Sequence, residues 1–127
     1  MGLEGCVVFG GSGGLGSRLA PLLSPLFSTV HSLSSRDVDI TSEAQLDKFF
    51  RHQEIHVVLN LAVCNIDAAV HRTSRFDVSM QLAVNCVGYA NILRYALPPM
   101  RARGSGRVIF VSSVLADRPT PGTSIYA

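Results

Sequence analysis

The sequence predicts an α/β fold, a doubly wound parallel sheet with helices packed on both faces. Three observations carry that expectation. Short unbroken apolar runs, Cys6–Phe9 and Val108–Val111 among them, read as strands buried on both sides. Segments with helical apolar spacing alternate with these runs, as a parallel sheet with crossover helices requires. A glycine cluster, Gly10 to Gly16, sits where the first run hands over to the first helix. The expected strand order is 3-2-1-4-5, and residues 1–127 read as one domain around one core.

The elements follow in order. Cys6–Phe9 is the first strand. Leu15, Leu19, Leu22, Leu23 and Leu26 recur at helical spacing, and Pro21 conflicts with them, because an interior proline removes a helical hydrogen bond, so the helix either kinks there or is irregular in its second half. Thr29–Ser34 is a second strand. Asp37–Ile40 is a very short third strand, too close to the second for a crossover helix between them. Ser42-Glu43-Ala44-Gln45 has the pattern of a capping box, and Leu46, Phe49 and Phe50 give the helix after it an apolar stripe. His56–Leu59 is the fourth strand and ends at Asn60. A long helix is expected from Phe76 to Leu97, ended by Pro98-Pro99. After the turn at Gly104–Gly106 comes the fifth strand, Val108–Val111, then loop from Pro119 to Gly122.

Composition narrows the function classes. With 47% hydrophobic and 16% charged residues the chain is globular rather than disordered. A net charge of +2 gives no reason to expect nucleic acid or an anionic membrane as the main partner. No apolar run approaches the roughly 20 residues of a membrane span. The first strand starts close to Met1, so no signal or transit peptide is expected. Met1-Gly2 falls short of a myristoylation start, since Cys6 stands where Ser or Thr is wanted. Cys6, Cys64 and Cys86 read as buried reduced thiols and point to the cytoplasm. His52 and His56 have metal-ligand spacing on a helix, but His56 begins a strand and no acidic or cysteine partner is identified, so no metal site is expected.

The glycine loop Gly10-Gly11-Ser12-Gly13-Gly14-Leu15-Gly16 has a strand before it and a helix after it. In that context glycines permit a tight turn and let the backbone approach a pyrophosphate, which rests on the free amides and positive dipole end of the helix. Gly10, Ser12, Gly13, Gly14, Leu15 and Gly16 are the residues expected to hold it. A ligand-free glycine turn is the alternative; a P-loop is not, because Ser17-Arg18 lacks the lysine. The cofactor is therefore NAD or NADP in a Rossmann-type domain. Counting about 20 residues on reaches Ser34, Ser35 and Arg36, and an arginine there suits the 2′-phosphate of NADP, which is favoured. Asp37 next to it blurs that reading, and a solvated loop arginine is the alternative.

Phe9, Gly10, Gly14 and Gly16 resemble the T-G-x-x-x-G-x-G motif of the short-chain dehydrogenase/reductase family, with Phe9 in place of threonine. Asn60-Leu61-Ala62-Val63 is similar to the family's N-N-A-G, matching at Asn60 and Ala62. Asn85 matches its helical asparagine, and Ser113 and Tyr126 have the spacing of its serine and tyrosine. The resemblance covers essentially the whole chain but about the first half of a typical member. It implies hydride exchange between nicotinamide and a small carbonyl or alcohol substrate. Tyr126 would move the proton, Ser113 would hydrogen-bond the substrate oxygen, and Asn85 would hold a relay water. Asp39 and Ile40 would line the adenine pocket, and Asn60 and Ala62 would flank the cofactor. Family members commonly pair through the helix near Asn85. The motif is Y-x-x-x-K, and its lysine would fall past Ala127. A phenol ionises near pH 10 and gains from a nearby positive charge. A non-catalytic nucleotide-binding module, or an inactive fragment, is thus the alternative to an active oxidoreductase.

Overall fold

The computed structural model describes residues 3–127; Met1 and Gly2, and with them the myristoylation reading, lie outside the described residues. Four strands form one parallel sheet: β1 (Leu3–Phe9), β2 (Phe27–Leu33), β3 (Val57–Asn60) and β4 (Arg107–Phe110), in the order β2-β1-β3-β4. In register, Phe9 faces Leu33 on one side and Asn60 on the other, and Asn60 faces Phe110. All strands therefore end on one edge, and the loops that follow them share it.

Side chains alternate across β1. Val7 and Phe9 point to the face covered by α2 (Glu43–His52) and α4 (Gly88–Arg103), where Leu46, Ile92, Ala96 and Met100 complete the main core. Cys6 and Val8 point to the opposite face, under Leu19 and Leu23 of α1 (Gly16–Leu23). Helices on both faces make the sheet doubly wound, as expected. The second face is thinly covered: Ile109 of β4 stays 40% exposed.

The expected third strand does not form, so the order is that of the remaining four strands. The reason is local chemistry. The Asp37 carboxylate accepts hydrogen bonds from both the backbone amide and the hydroxyl of Ser34, at 2.8 and 2.9 Å. Asp39 accepts from the Thr41 amide and hydroxyl, at 2.9 and 2.8 Å. Side chains that bond their own backbone stabilise turns against ladders. Ser42 caps α2, its hydroxyl accepting from the Gln45 amide at 3.4 Å, but Gln45 Oε1 accepts from the Asp39 amide at 2.8 Å. Only half of the capping box forms.

Of two further expectations about helices, the irregular second half after Pro21 is seen and the end at Pro98-Pro99 is not. Pro21 lies inside α1, which ends at Leu23 and leaves Leu26 in a turn. The long helix is not ended by Pro98-Pro99. α3 (Arg75–Leu82), a π-helical stretch (Ala83–Val87) and α4 run on to Arg103, and Gly104 closes the helix at φ 73. Both prolines sit on the exposed face of the helix. No helix among the described residues is long and apolar enough to cross a membrane.

Candidate functional site

β1 ends at Phe9 and α1 starts at Gly16, so residues 10–15 form the strand-to-helix junction. The glycines there divide into two kinds. Gly10 has φ +77, and a Cβ on it would stand 2.6 Å from the Ala62 amide. A Cβ on Gly16 would overlap the Gly10 carbonyl oxygen and approach Gly11 Cα to 2.8 Å. These two let loop, helix and strand close on one another. A Cβ on Gly14 would meet nothing within 4 Å. Gly14, with Ser12, Gly13 and Leu15, is exposed. No side chain caps α1; the Ser17 and Arg18 amides donate to the Gly13 and Leu15 carbonyls, while the amides of Gly14, Leu15 and Gly16 have no acceptor among the described residues.

The loop forms one wall of a cavity of about 460 Å³. Gly10, Gly13, Gly14, Leu15 and Gly16 line it together with Asn85, Ser113 and Tyr126. The phosphate-type loop and the three candidate catalytic groups, far apart in the chain, thus open on one space.

Asn85 lies in the π-helical stretch, a distortion frequent at functional sites. Its Oδ1 accepts from the Cys64 amide at 2.9 Å and its Nδ2 donates to the Cys64 carbonyl at 2.6 Å. One amide group thereby pins the loop after β3 to the long helix. A hydrogen on Nδ2 and a lone pair on Oδ1 remain for a further partner. Ser113 caps a short 3₁₀ turn, its Oγ accepting from the Leu115 amide at 3.2 Å; its hydroxyl proton is free to donate. Tyr126 is half-buried.

The other candidates, Asn60, Ala62, Arg36, Asp39 and Ile40, do not line this cavity. Asn60, fully buried at the end of β3, accepts from the Ala62 amide at 3.1 Å, while its Nδ2 is buried without a partner. Arg36 is exposed after β2, and only its backbone amide, which donates to Ser34 Oγ, is hydrogen-bonded among the described residues. The two Ser34 bonds hold the Asp37 carboxyl below its ordinary value, the backbone bond weighing most. Asp37 is thus engaged in the turn, and Arg36 is the free charge beside it. Asp39 spends Oδ1 on Thr41. Ile40 is a core side chain, 4% exposed, packed where a Cβ on Gly88 would strike it. Its carbonyl accepts from Asn91 Nδ2 at 3.1 Å, so the Ile40 amide is what remains for a ligand.

Tyr89 belongs to the site without any motif to mark it. It lines the cavity, tilts on Phe110 with centroids 4.7 Å apart, and donates to the Ala62 carbonyl at 3.5 Å. Burial first, then Tyr126 and Cys86, push its phenol up. Its signal in the sequence is its place one turn after Asn85, which puts both on one helix face. The cysteines differ from expectation: Cys6 is buried, with its thiol pushed up to about 11 by burial, but Cys64 is half-buried and Cys86 exposed; all three are free.

The family model described as short chain dehydrogenase matches residues 29–127. Carbonyl reductase family member 4 of Xenopus tropicalis is 26% identical over 144 residues, covering 95% of this chain and 61% of the relative. The chain thus spans about three fifths of the length of that relative. Among solved structures, a variant of actinorhodin polyketide ketoreductase with NADPH superposes with TM-score 0.86 at 16% identity, over 99% of this chain and 60% of that one. ElxO with NADP bound superposes with TM-score 0.83 at 17% identity, over 98% and 61%. At such identities these two likenesses establish the fold.

Proposed function

The chain belongs to the short chain dehydrogenase family, and on that premise we propose that it binds NADP(H) at the β1–α1 junction and serves reduction of a small carbonyl, or the reverse oxidation of an alcohol. The observation that carries the reading is the shared cavity, in which the open glycine Gly14 and the groups of Asn85, Ser113 and Tyr126 face one ligand-sized space. The residues fit the cofactor. Gly13 and Gly14 leave room for a diphosphate against the amides of Gly14, Leu15 and Gly16. Arg36, with a free guanidinium, suits a 2′-phosphate and favours NADP over NAD. The two solved likenesses that carry NADP or NADPH support the same cofactor class.

When bound, the nicotinamide supplies the hydride. This chain's residues orient the acceptor and move the proton. The Tyr126 hydroxyl gives its proton to the substrate oxygen as negative charge develops there, and Ser113 donates a second hydrogen bond to that oxygen. Asn85 holds the wall of the site in place through Cys64 and keeps one amide hydrogen for a relay water. Asn60 and the Ala62 backbone border the nicotinamide side, and the Asp39–Ile40 backbone borders the adenine. Free thiols at Cys6, Cys64 and Cys86 support a reducing, cytoplasmic setting. Pairing of two chains along the long helix is part of the proposal, supported by Phe76 and Leu97, both exposed there.

The test is in two steps. NADPH fluorescence titration of residues 1–127 is expected to give saturable binding; no binding overturns the proposal. NADPH oxidation with small ketones is then compared between residues 1–127, whose one lysine is Lys48 on α2, and a form extended past Ala127 with a lysine at the motif spacing. Turnover is expected in the extended form and little in the shorter one. Robust reduction by residues 1–127 would show that no such lysine is needed.

A further inference from the structure

At the edge of the sheet opposite the cavity, three potential ligands converge from separate segments. Glu4 lies near the start of β1, Glu54 in the turn before β3, and His56 one residue before β3 begins. Along β1, with seven residues, this places them about 20 Å from the glycine loop at 3.3 Å per residue. Glu4 Oε2 and Glu54 Oε1 each stand 3.8 Å from His56 Nε2, and the three ligand atoms all lie within 4.8 Å of one another.

The frame that carries them is rigid. The His56 amide donates to the Gly5 carbonyl at 2.8 Å, and its carbonyl accepts from the Arg107 amide at 2.9 Å, so its backbone is tied to β1 on one side and to β4 on the other. The His56 side chain is only 16% exposed, and its Nδ1 is buried with no partner. The two glutamates are the mobile half, about two thirds exposed.

The spacing decides what the cluster suits. A separation of 3.8 Å is too long for a hydrogen bond. It is close to the gap between two ligands of one tetrahedral ion, since atoms about 2.1 Å from zinc stand about 3.4 Å apart. Rotation of the exposed glutamate side chains closes the remaining distance without moving backbone. Two carboxylates and a neutral imidazole carry a charge that a divalent cation cancels. One nitrogen and two oxygens suit zinc better than calcium, which takes six or more oxygens, or magnesium, which keeps its waters.

We propose that Glu4, Glu54 and His56 bind one zinc-class divalent cation and so tie the start of β1 to the entrance of β3. Three protein ligands leave one position for water. The site is independent of the nucleotide reading.

The test is calorimetric titration of residues 1–127 with zinc chloride in a non-chelating buffer, beside the double variant Glu4→Gln, Glu54→Gln. Both positions are exposed, so the metal-free variant is expected to melt where the wild type does. The wild type is expected to take up one zinc per chain, to gain several degrees of melting temperature at saturation, and to shift the His56 ring resonances. The double variant is expected to bind at least 10-fold more weakly and to lose the gain. Absence of uptake overturns the proposal. Equal uptake by the double variant overturns it too, by moving the ion to other groups such as the free thiols, and so does uptake that leaves the His56 resonances in place.

Discussion

Replacing Gly14 or Gly16 by alanine adds the same methyl group two residues apart, with opposite expected results. At Gly16, the first residue of α1, the new carbon would overlap the Gly10 carbonyl oxygen and press on Gly11 Cα at 2.8 Å. Both obstacles are backbone, so neither can rotate aside. Overpacking of this kind costs about 1–3 kcal/mol. It outweighs the roughly 0.5–1 kcal/mol that Gly→Ala returns in a helix. The net loss is about 1–2 kcal/mol, or roughly 4 °C in melting temperature per kcal/mol for a chain of this size. At Gly14 the methyl meets nothing within 4 Å, and no positive φ forbids it. Stability there is expected to hold or to rise by up to about 1 kcal/mol. The same methyl enters the space where a diphosphate approaches the amides, and about 10-fold weaker NADPH binding corresponds to only about 1.4 kcal/mol. Urea denaturation and NADPH fluorescence titration of the two variants separate the effects. A Gly16→Ala protein as stable as wild type would refute the packing argument. A Gly14→Ala protein with undiminished affinity would refute the placement of the phosphates.

Three other perturbations have defined outcomes. Arg36→Ala is expected to weaken NADPH roughly 10- to 100-fold, as loss of charge-assisted hydrogen bonds of about 1.5–3 kcal/mol implies, while NADH affinity stays unchanged; equal loss for both would remove the 2′-phosphate role. Asn85→Ala leaves the Cys64 amide and carbonyl without their partners, and urea midpoints are expected to report a loss of about 1–3 kcal/mol for each group that water does not reach. Burial pushes the His31 imidazole below its ordinary 6.5. The unfolded chain therefore takes up this proton at higher pH than the folded one, so the His31 contribution is complete above pH 6.5 and declines as pH falls through it. His31→Phe, which keeps a ring against Phe49, 5.4 Å away, is expected to flatten that part of the profile; an unchanged slope would exclude His31 as its source.

The legible parts of the fold were those where a single physical demand acts. Cys6–Phe9 is buried on both faces and flanked by glycines, so an unbroken apolar run was enough to mark it. The junction at Gly10–Gly16 was legible because an apolar strand, a glycine cluster and a helical stretch follow one another directly. Residues 37–40 were misread because Val38 and Ile40 alternate like a strand while Asp37 and Asp39 bond their own turns, a competition that periodicity does not record. Pro98-Pro99 misled in another way: proline disfavours a helix interior but does not always end it, and here both lie on its exposed face while the helix runs on to Arg103. In the site, Asn85 was marked by its resemblance to the family's helical asparagine, but its grip on Cys64 depends on a loop 21 residues away. Glu54 is two residues from His56 in the sequence, but Glu4 becomes its neighbour only through the register of β1 with β3.

The central claim is that a dinucleotide diphosphate rests on the amides where β1 gives way to α1. Titration of ¹⁵N-labelled protein with NADPH, followed amide by amide, addresses it directly. The account predicts saturable shifts concentrated at Gly13, Gly14, Leu15 and Gly16, with lesser ones at Ser113 and Tyr126. Shifts centred elsewhere, or a spectrum unchanged by NADPH and NADH alike, would contradict it.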